Sequence, residues 1–193
     1  MRAAILFHSI TGSCYDMAMT VQRQLAEQCM DSQVFRMADT DQAQWATTFD
    51  IAKDYYERIM AVPEVDISTM PEYDLLVICS PTYFGNVSAE VKTFMDDMAC
   101  FWMNRKMAGK LVLACASAST PMGGGDMALQ AISTFAHHMG MIPLPVNTLS
   151  MPAYGLLHIA GEESQYRVSD TSRFEDAVKA MACDIKGYIN RRG

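Results

Sequence analysis

Leu75-Leu76-Val77-Ile78-Cys79-Ser80-Pro81-Thr82-Tyr83-Phe84-Gly85-Asn86-Val87 decides how this chain folds. The apolar run 75–79 is bounded by Asp74 and Pro81 and is too short for an ordinary helix. It reads as a strand buried on both faces, with Pro81 closing it. Gly85-Asn86 supplies a turn tolerant of positive φ. Ser88 then caps a helix that turns Val91, Phe94 and Met95 inward and Glu90 and Lys92 outward. A strand, an aromatic-bearing loop and a helix in that order place a ligand loop at the carboxyl end of an α/β sheet.

The pattern repeats on both sides of this stretch. Residues 3–8 read as a strand, 15–29 as a helix with Met17, Ala18, Val21 and Leu25 on one stripe, and 32–36 as a second strand. Trp45, Phe49, Ala52, Tyr56 and Ile59 recur at helical spacing and predict one helix over 41–60, ended by Pro63. Residues 110–116 predict a fourth strand and 126–139 a helix stopped by Gly140 at its C′ position. Residues 141–146 form a fifth strand whose two prolines suit an edge. Residues 147–169 read as irregular, and a last helix spans about 170–188. Strands alternating with helices make an α/β doubly wound parallel sheet, in one domain over residues 1–193.

Composition narrows the function. The chain has 193 residues, half of them hydrophobic, enough for one good-sized core. A net charge of −7 and a pI near 5.0 argue against nucleic acid as a partner. No apolar run approaches the ~20 residues of a membrane span. The apolar start is cut short by His8, Ser9 and Thr11, unlike a signal peptide. Cys14, Cys29, Cys79, Cys100, Cys115 and Cys183 are scattered without a CxxC pair, as expected of reduced thiols in a cytoplasmic protein. No metal ligand set is read from the spacing, and the seventeen methionines read as adaptable core filler.

Three loops at strand ends carry the chemistry. Ser9-Ile10-Thr11-Gly12-Ser13-Cys14 joins hydroxyls, backbone N–H groups and a helix N-terminus, which together hold a phosphate without lysine or arginine. The competing reading is an ordinary Ser/Thr helix cap. The loop has neither GxxxxGK[ST] nor GxGxxG. Pro81 to Asn86 offers two aromatics and a tight backbone, against plain packing by Tyr83 and Phe84. Ser117-Ala118-Ser119-Thr120-Pro121-Met122-Gly123-Gly124-Gly125 admits a planar ligand close to the backbone, or else is a flexible crossover. All three follow strands that flank the switch point of such a sheet.

Pro81-Thr82-Tyr83-Phe84-Gly85-Asn86 followed by Lys92-Thr93-Phe94-Met95-Asp96 resembles the flavodoxin-like fold and, within it, the WrbA family of FMN-dependent NAD(P)H:quinone oxidoreductases. Gly123-Gly124-Gly125, Ala136-His137-His138-Met139-Gly140-Met141, Tyr154-Gly155 and Ile159-Ala160-Gly161 extend the resemblance over roughly residues 75–161, and the first loop carries it to the N-terminus. It implies a three-layer, five-stranded parallel sheet of order 2-1-3-4-5. It further implies FMN as cofactor, with its phosphate on Ser9, Thr11, Gly12, Ser13 and Cys14. The ring would contact Pro81, Thr82, Tyr83, Phe84, Gly85 and Asn86 on one side and Ser117, Ala118, Ser119, Gly123 and Gly124 on the other. NAD(P)H and quinone-like molecules are the implied substrates, with Trp102 and Tyr83 as substrate contacts. The resemblance implies a homo-oligomer, dimer or tetramer, in which a neighbouring subunit completes the pocket.

Two readings of His138 stand side by side: a pocket wall or proton donor to quinone, or a helix-end histidine facing the dipole as His137 does. Asp96 and Asp97 are adjacent and do not share a helix face, so they read as a solvated edge. His8 and His158 have no partner evident in the sequence and read as structural. A flavodoxin-type electron carrier without turnover is the alternative function, and a flavin-free interaction protein the third. Steady-state NADH oxidation separates the first two; a yellow purified protein removes the third.

Overall fold

The computed structural model describes residues 1–146, 151–159 and 167–190. β1 (Arg2–Phe7), β2 (Asp31–Arg36), β3 (Leu75–Tyr83) and β5 (Leu111–Ala118) are long strands of one sheet, and β6 (Ile142–Pro143) and β7 (Leu156–Ile159) are short ones. The order is β2-β1-β3-β5-β6, and the pairings along this path are parallel. β4 (Asn86–Val87) is an antiparallel partner of the end of β3. Setting that hairpin aside, the order is the expected 2-1-3-4-5.

Alternation along β1 explains the layers. Ala3, Ile5 and Phe7 pack on one side with α1 (Ser13–Glu27) and α6 (Arg167–Asn190), through Met17, Val21 and Leu25 and through Phe174, Val178 and Met181. Ala4 and Leu6 pack on the other with α4 (Ala89–Asp97) and α5 (Gly125–His138), through Val91 and Phe94 and through Leu129 and Ile132. β1, β3 and β5 are near-continuous apolar runs because both faces are covered. Each fully buried Leu or Ile among them contributes about 1.5–3 kcal/mol. α4 begins as its sequence predicts, with Ser88 Oγ accepting from Val91 N. α5 ends with Gly140 at φ 73°, donating to His137 O, while Met141 donates to Ala136 O.

Four expectations are corrected. β3 does not stop at Pro81 but runs to Tyr83. Cys79 O accepts from His8 N where β1 ends, so the missing N–H of Pro81 faces past the end of that neighbour and breaks no ladder bond. The predicted 41–60 helix is two: α2 (Gln42–Thr48) and α3 (Asp50–Met60), separated by Phe49 in an extended conformation. Thr47 and Thr48 both turn their hydroxyls onto Gln44 O, a local bond that competes with helix continuation. Phe49 is therefore half-exposed and stacks on Trp45 instead of entering the core.

The fifth sheet position is filled twice: β6 pairs the start of β5 and β7 pairs its end. The chain leaves the sheet at the prolines and re-enters at Gly155, where a Cβ would run into Ala114 O. The stretch 147–169 is thus not irregular throughout; it contains β7 and the first turn of α6, and 147–150 and 160–166 lie outside the described residues. Finally, His8 has partners, described below. The His158 ring packs edge-on against Phe174.

Candidate functional site

The three loops converge at the carboxyl ends of β1, β3 and β5. In the first, Gly12 has φ 94° and is the N-cap of α1, which carries no side-chain cap. The first-turn N–H groups of α1 therefore keep their donor capacity for a ligand. Ser9 is buried and its Oγ accepts from Gly12 N at 3.1 Å, while Gln42 Nε2 donates to Ser9 O at 3.2 Å. Tyr55, from α3, covers the loop: a Cβ on Gly12 would penetrate its ring, and its hydroxyl donates to Asp16 at 2.6 Å. That hydrogen bond to Asp16, followed by burial, pushes the Tyr55 hydroxyl up to about 12. Neither Tyr55 nor Gln42 was identifiable from spacing, because the residues of 41–60 look like one amphipathic stripe.

The second loop is a two-residue hairpin turn. Tyr83 pairs with Asn86, and Phe84 (φ 52°) and Gly85 (φ 74°) are both left-handed, as a type I′ turn requires. The turn centre is thus one residue earlier than the sequence suggested, and Asn86 lies in β4, where its Oδ1 accepts from Val87 N. The Phe84 side chain is fully exposed. Ser80 Oγ accepts from Ser88 N, tying the strand to the start of α4. Thr82 Oγ1 is buried with no hydrogen-bond partner. Tyr83 is 41% exposed over the whole residue, yet the surroundings of its hydroxyl are dry enough to push it up to about 12, with Cys14, Glu90 and Asp39 adding to the rise.

In the third loop Gly123 N donates to Thr120 O, and Gly124 (φ 80°) is the N-cap of α5, again without a side-chain cap. A Cβ on Gly124 would lie 2.8 Å from Gly85 Cα. Two glycines thus let the second and third loops meet backbone to backbone.

Ser9, Thr11, Ser13 and Cys14, Pro81, Thr82 and Tyr83, and Ser117, Ala118 and Ser119 line one cavity of about 90 Å³, with Ile10 added to the expected set. Gly12, Phe84, Gly85, Asn86, Gly123 and Gly124 do not line it, so the cavity covers the phosphate-loop side of the rim and only part of the expected set. Burial, then the neighbouring Cys79, push the Cys14 thiol well up, so Cys14 is a small neutral residue and not a thiolate.

Trp102 and His138 are elsewhere. α5 starts at the rim and runs 14 residues, about 20 Å, to His138 near the start of β5. There Trp102 Nε1 donates to His138 O at 3.0 Å, and an open cleft of about 340 Å³ lies between them, Met103 and Gly140. The two residues adjoin each other and sit far from the rim loops of their own chain.

His8, read as structural, is instead almost fully buried between two acids. Its Nε2 lies 3.2 Å from Asp39 Oδ2 and its Nδ1 3.3 Å from Glu90 Oε2. The hydrogen bond from His8 is the main reason the Asp39 carboxyl is held below the usual range.

Known proteins share this fold and part of this sequence. The profile of a family described as NADPH-dependent FMN reductase matches residues 1–155. An Archaeoglobus fulgidus protein named NAD(P)H dehydrogenase (quinone) is 29% identical over 146 residues, spanning 75% of this chain and 76% of its own. One of the same name from Chromohalobacter salexigens is 31% identical over 150, spanning 69% and 74%. In shape, the chain is similar to a WrbA-like flavodoxin from Agrobacterium tumefaciens at TM-score 0.66 and 15% identity, covering 100% and 99%. It is likewise similar to a Fusobacterium nucleatum flavodoxin bound to flavin mononucleotide at TM-score 0.62 and 12% identity, covering 97% and 98%. The structures establish the flavodoxin-like fold; the sequence match, running through all three rim loops, places the chain in the NADPH-dependent FMN reductase family.

Proposed function

We propose that this chain is an FMN-dependent oxidoreductase that passes two electrons from NAD(P)H to a quinone. One observation carries the reading: three loops of neutral donors and glycines meet at one rim, over a helix end with no side-chain cap. The residues fit the cofactor. Ser9, Thr11, Ser13 and the backbone N–H groups of 13 and 14 suit a phosphate, and the buried Thr82 Oγ1 without a partner suits a ligand acceptor. Phe84, Gly85, Asn86, Gly123 and Gly124 flank the side on which the ring would lie.

FMN, when bound, supplies hydride acceptance and two-electron delivery, so that NAD(P)H and a proton convert quinone to hydroquinone. This chain's own work is to grip, orient and shield. Tyr83, neutral across the physiological range, offers a hydroxyl and a ring face beside the cofactor. Phe84 holds a left-handed conformation, which costs a non-glycine residue about 1–2 kcal/mol, and still points into solvent. Such an exposed aromatic gains its return from a substrate or a second subunit.

Trp102 and His138 reach a flavin only in a homo-oligomer, where a neighbouring copy places them over the rim; His138 then walls the pocket or donates to the quinone oxygen. Free thiols at Cys14, Cys79 and Cys115 suit a reducing cytoplasm. Among the described residues no helix is long and apolar enough to cross a membrane.

The test is steady-state oxidation of NADH and NADPH with benzoquinone, before and after FMN loading. Turnover that depends on FMN is the expected result. An FMN-bound protein with no turnover under either nicotinamide turns the reading to an electron carrier. No affinity for FMN ends both.

A further inference from the structure

His8 sits between acids in a way that hydrogen bonding alone does not complete. Its side chain is 2% exposed, that of Asp39 5% and that of Glu90 26%. Asp39 is well satisfied: Oδ2 faces His8 Nε2 at 3.2 Å and Oδ1 accepts from Asp41 N at 2.8 Å. A neutral imidazole has one N–H. Spent on Asp39, it leaves Nδ1 as a buried lone pair 3.3 Å from Glu90 Oε2, and Nδ1 makes no hydrogen bond. Two electron-rich atoms thus converge, the nitrogen almost fully buried and the carboxylate partly open to solvent. One donor atom from each of His8, Asp39 and Glu90 falls within 4.8 Å of the others. Arg36 lends Asp39 some positive charge but is itself paired with Glu64.

We propose that His8 Nδ1 and the Glu90 carboxylate are ligands of a borderline divalent cation of the Zn²⁺ or Co²⁺ kind, with Asp39 fixing the imidazole through Nε2–H. Ligand bonds of about 2.1 Å to both atoms, 3.3 Å apart, subtend about 104° at the ion, close to tetrahedral. A proton between them would need a straight N–H···O line, and the contact lacks it. A carboxylate that holds the second nitrogen of a ligating histidine is the usual outer support of such sites. Imidazole with carboxylate suits Zn²⁺, Co²⁺ or Mn²⁺ ahead of Mg²⁺ or Ca²⁺. Water completes the coordination on the partly open Glu90 side. The ion would tie the end of β1, one residue before Ser9, to the first turn of α4 behind the aromatic hairpin. No pair of these residues is close in sequence, which is why spacing did not reveal them.

Co²⁺ titration of the FMN-loaded full chain, read by calorimetry and by visible difference absorption, tests this. Expected are one Co²⁺ per chain at micromolar affinity, displaced by Zn²⁺, and a thermal midpoint that rises with the metal. Glu90→Gln and His8→Ala each weaken binding at least about tenfold, and Asp39→Asn weakens it about 10- to 100-fold. Retained flavin absorbance shows that each variant is folded, and Glu90→Gln, at the most open of the three positions, answers if His8→Ala does not fold. Wild-type protein that takes up no Co²⁺ or Zn²⁺ at millimolar concentration overturns the proposal. So does uptake of undiminished strength in Glu90→Gln and His8→Ala, which places the metal at other residues.

Discussion

The two ends of the sheet are built from different materials. At the carboxyl end, residues of three loops, most of them bearing hydroxyls, line a small cavity, and left-handed glycines start the two helices nearby without side-chain caps. At the amino end, an exposed tryptophan and a methionine stand beside two histidines in a wide, open cleft. The first is complete within one chain and organised to hold something polar and fixed. The second offers aromatic surface in an open cleft, and under the proposed function it would meet a flavin only in a neighbouring copy. The proposed function divides the work accordingly: one end to hold the cofactor, the other to shelter a substrate.

Gly12→Val presses hardest on this contrast. A branched Cβ meets both a φ of 94° and the Tyr55 ring, so FMN affinity falls by about 100-fold or more, since strain and clash of this kind cost roughly 1–3 kcal/mol or above. Fluorescence titration of the apoprotein reads it; unchanged affinity would mean that the rim is not the site. Gly124→Ala is the next largest. Its methyl pushes on Gly85 and parts the second and third loops, and FMN binding weakens about tenfold while the phosphate loop stays intact. Competition by inorganic phosphate, measured in parallel, should not change.

Trp102→Ala probes the other end. FMN affinity stays within about threefold, but the quinone KM rises about tenfold, the size expected of an aromatic anchor that bound substrate covers. A large loss of FMN instead would erase the distinction between the ends.

How much of this could be read in advance follows from what kind of signal each part leaves. Glycines at forced turns and hydroxyls ahead of a helix are local, so Gly12, Gly85, Gly124 and Ser9 stand out in the sequence. The strand order is legible because apolar runs alternate with amphipathic ones. Contacts between distant segments leave no such mark: Tyr55 on Gly12, Gln42 on Ser9, and His8 with Asp39 and Glu90 depend on how loops pack. The break at Phe49 was hidden because three- and four-residue spacing continues across it. β7 escaped notice because its four residues are isolated from the rest of their sheet position.

Smaller effects sharpen the rim alone. Phe84→Gly relieves a left-handed phenylalanine and raises stability by about 1 kcal/mol in urea unfolding, while quinone turnover declines. Tyr55→Phe has the least effect at neutral pH, about 0.5–1 kcal/mol for one partly exposed hydrogen bond. Its signature is alkaline. The folded hydroxyl titrates at about 12 against an ordinary 10.0, so its contribution is whole below pH 10 and is lost as pH rises through 12. Stability measured across that window should fall less steeply in the variant.

The divided fifth position has an evolutionary consequence. β6 secures one half of the edge of β5 and β7 the other, with Leu157 packed beneath Gly125. Chain inserted or deleted between them adds to the flank of the molecule without shifting the glycine that starts α5. Descendants of this architecture are free to remodel that flank, and whatever docks there, while their grip on the cofactor is inherited unaltered.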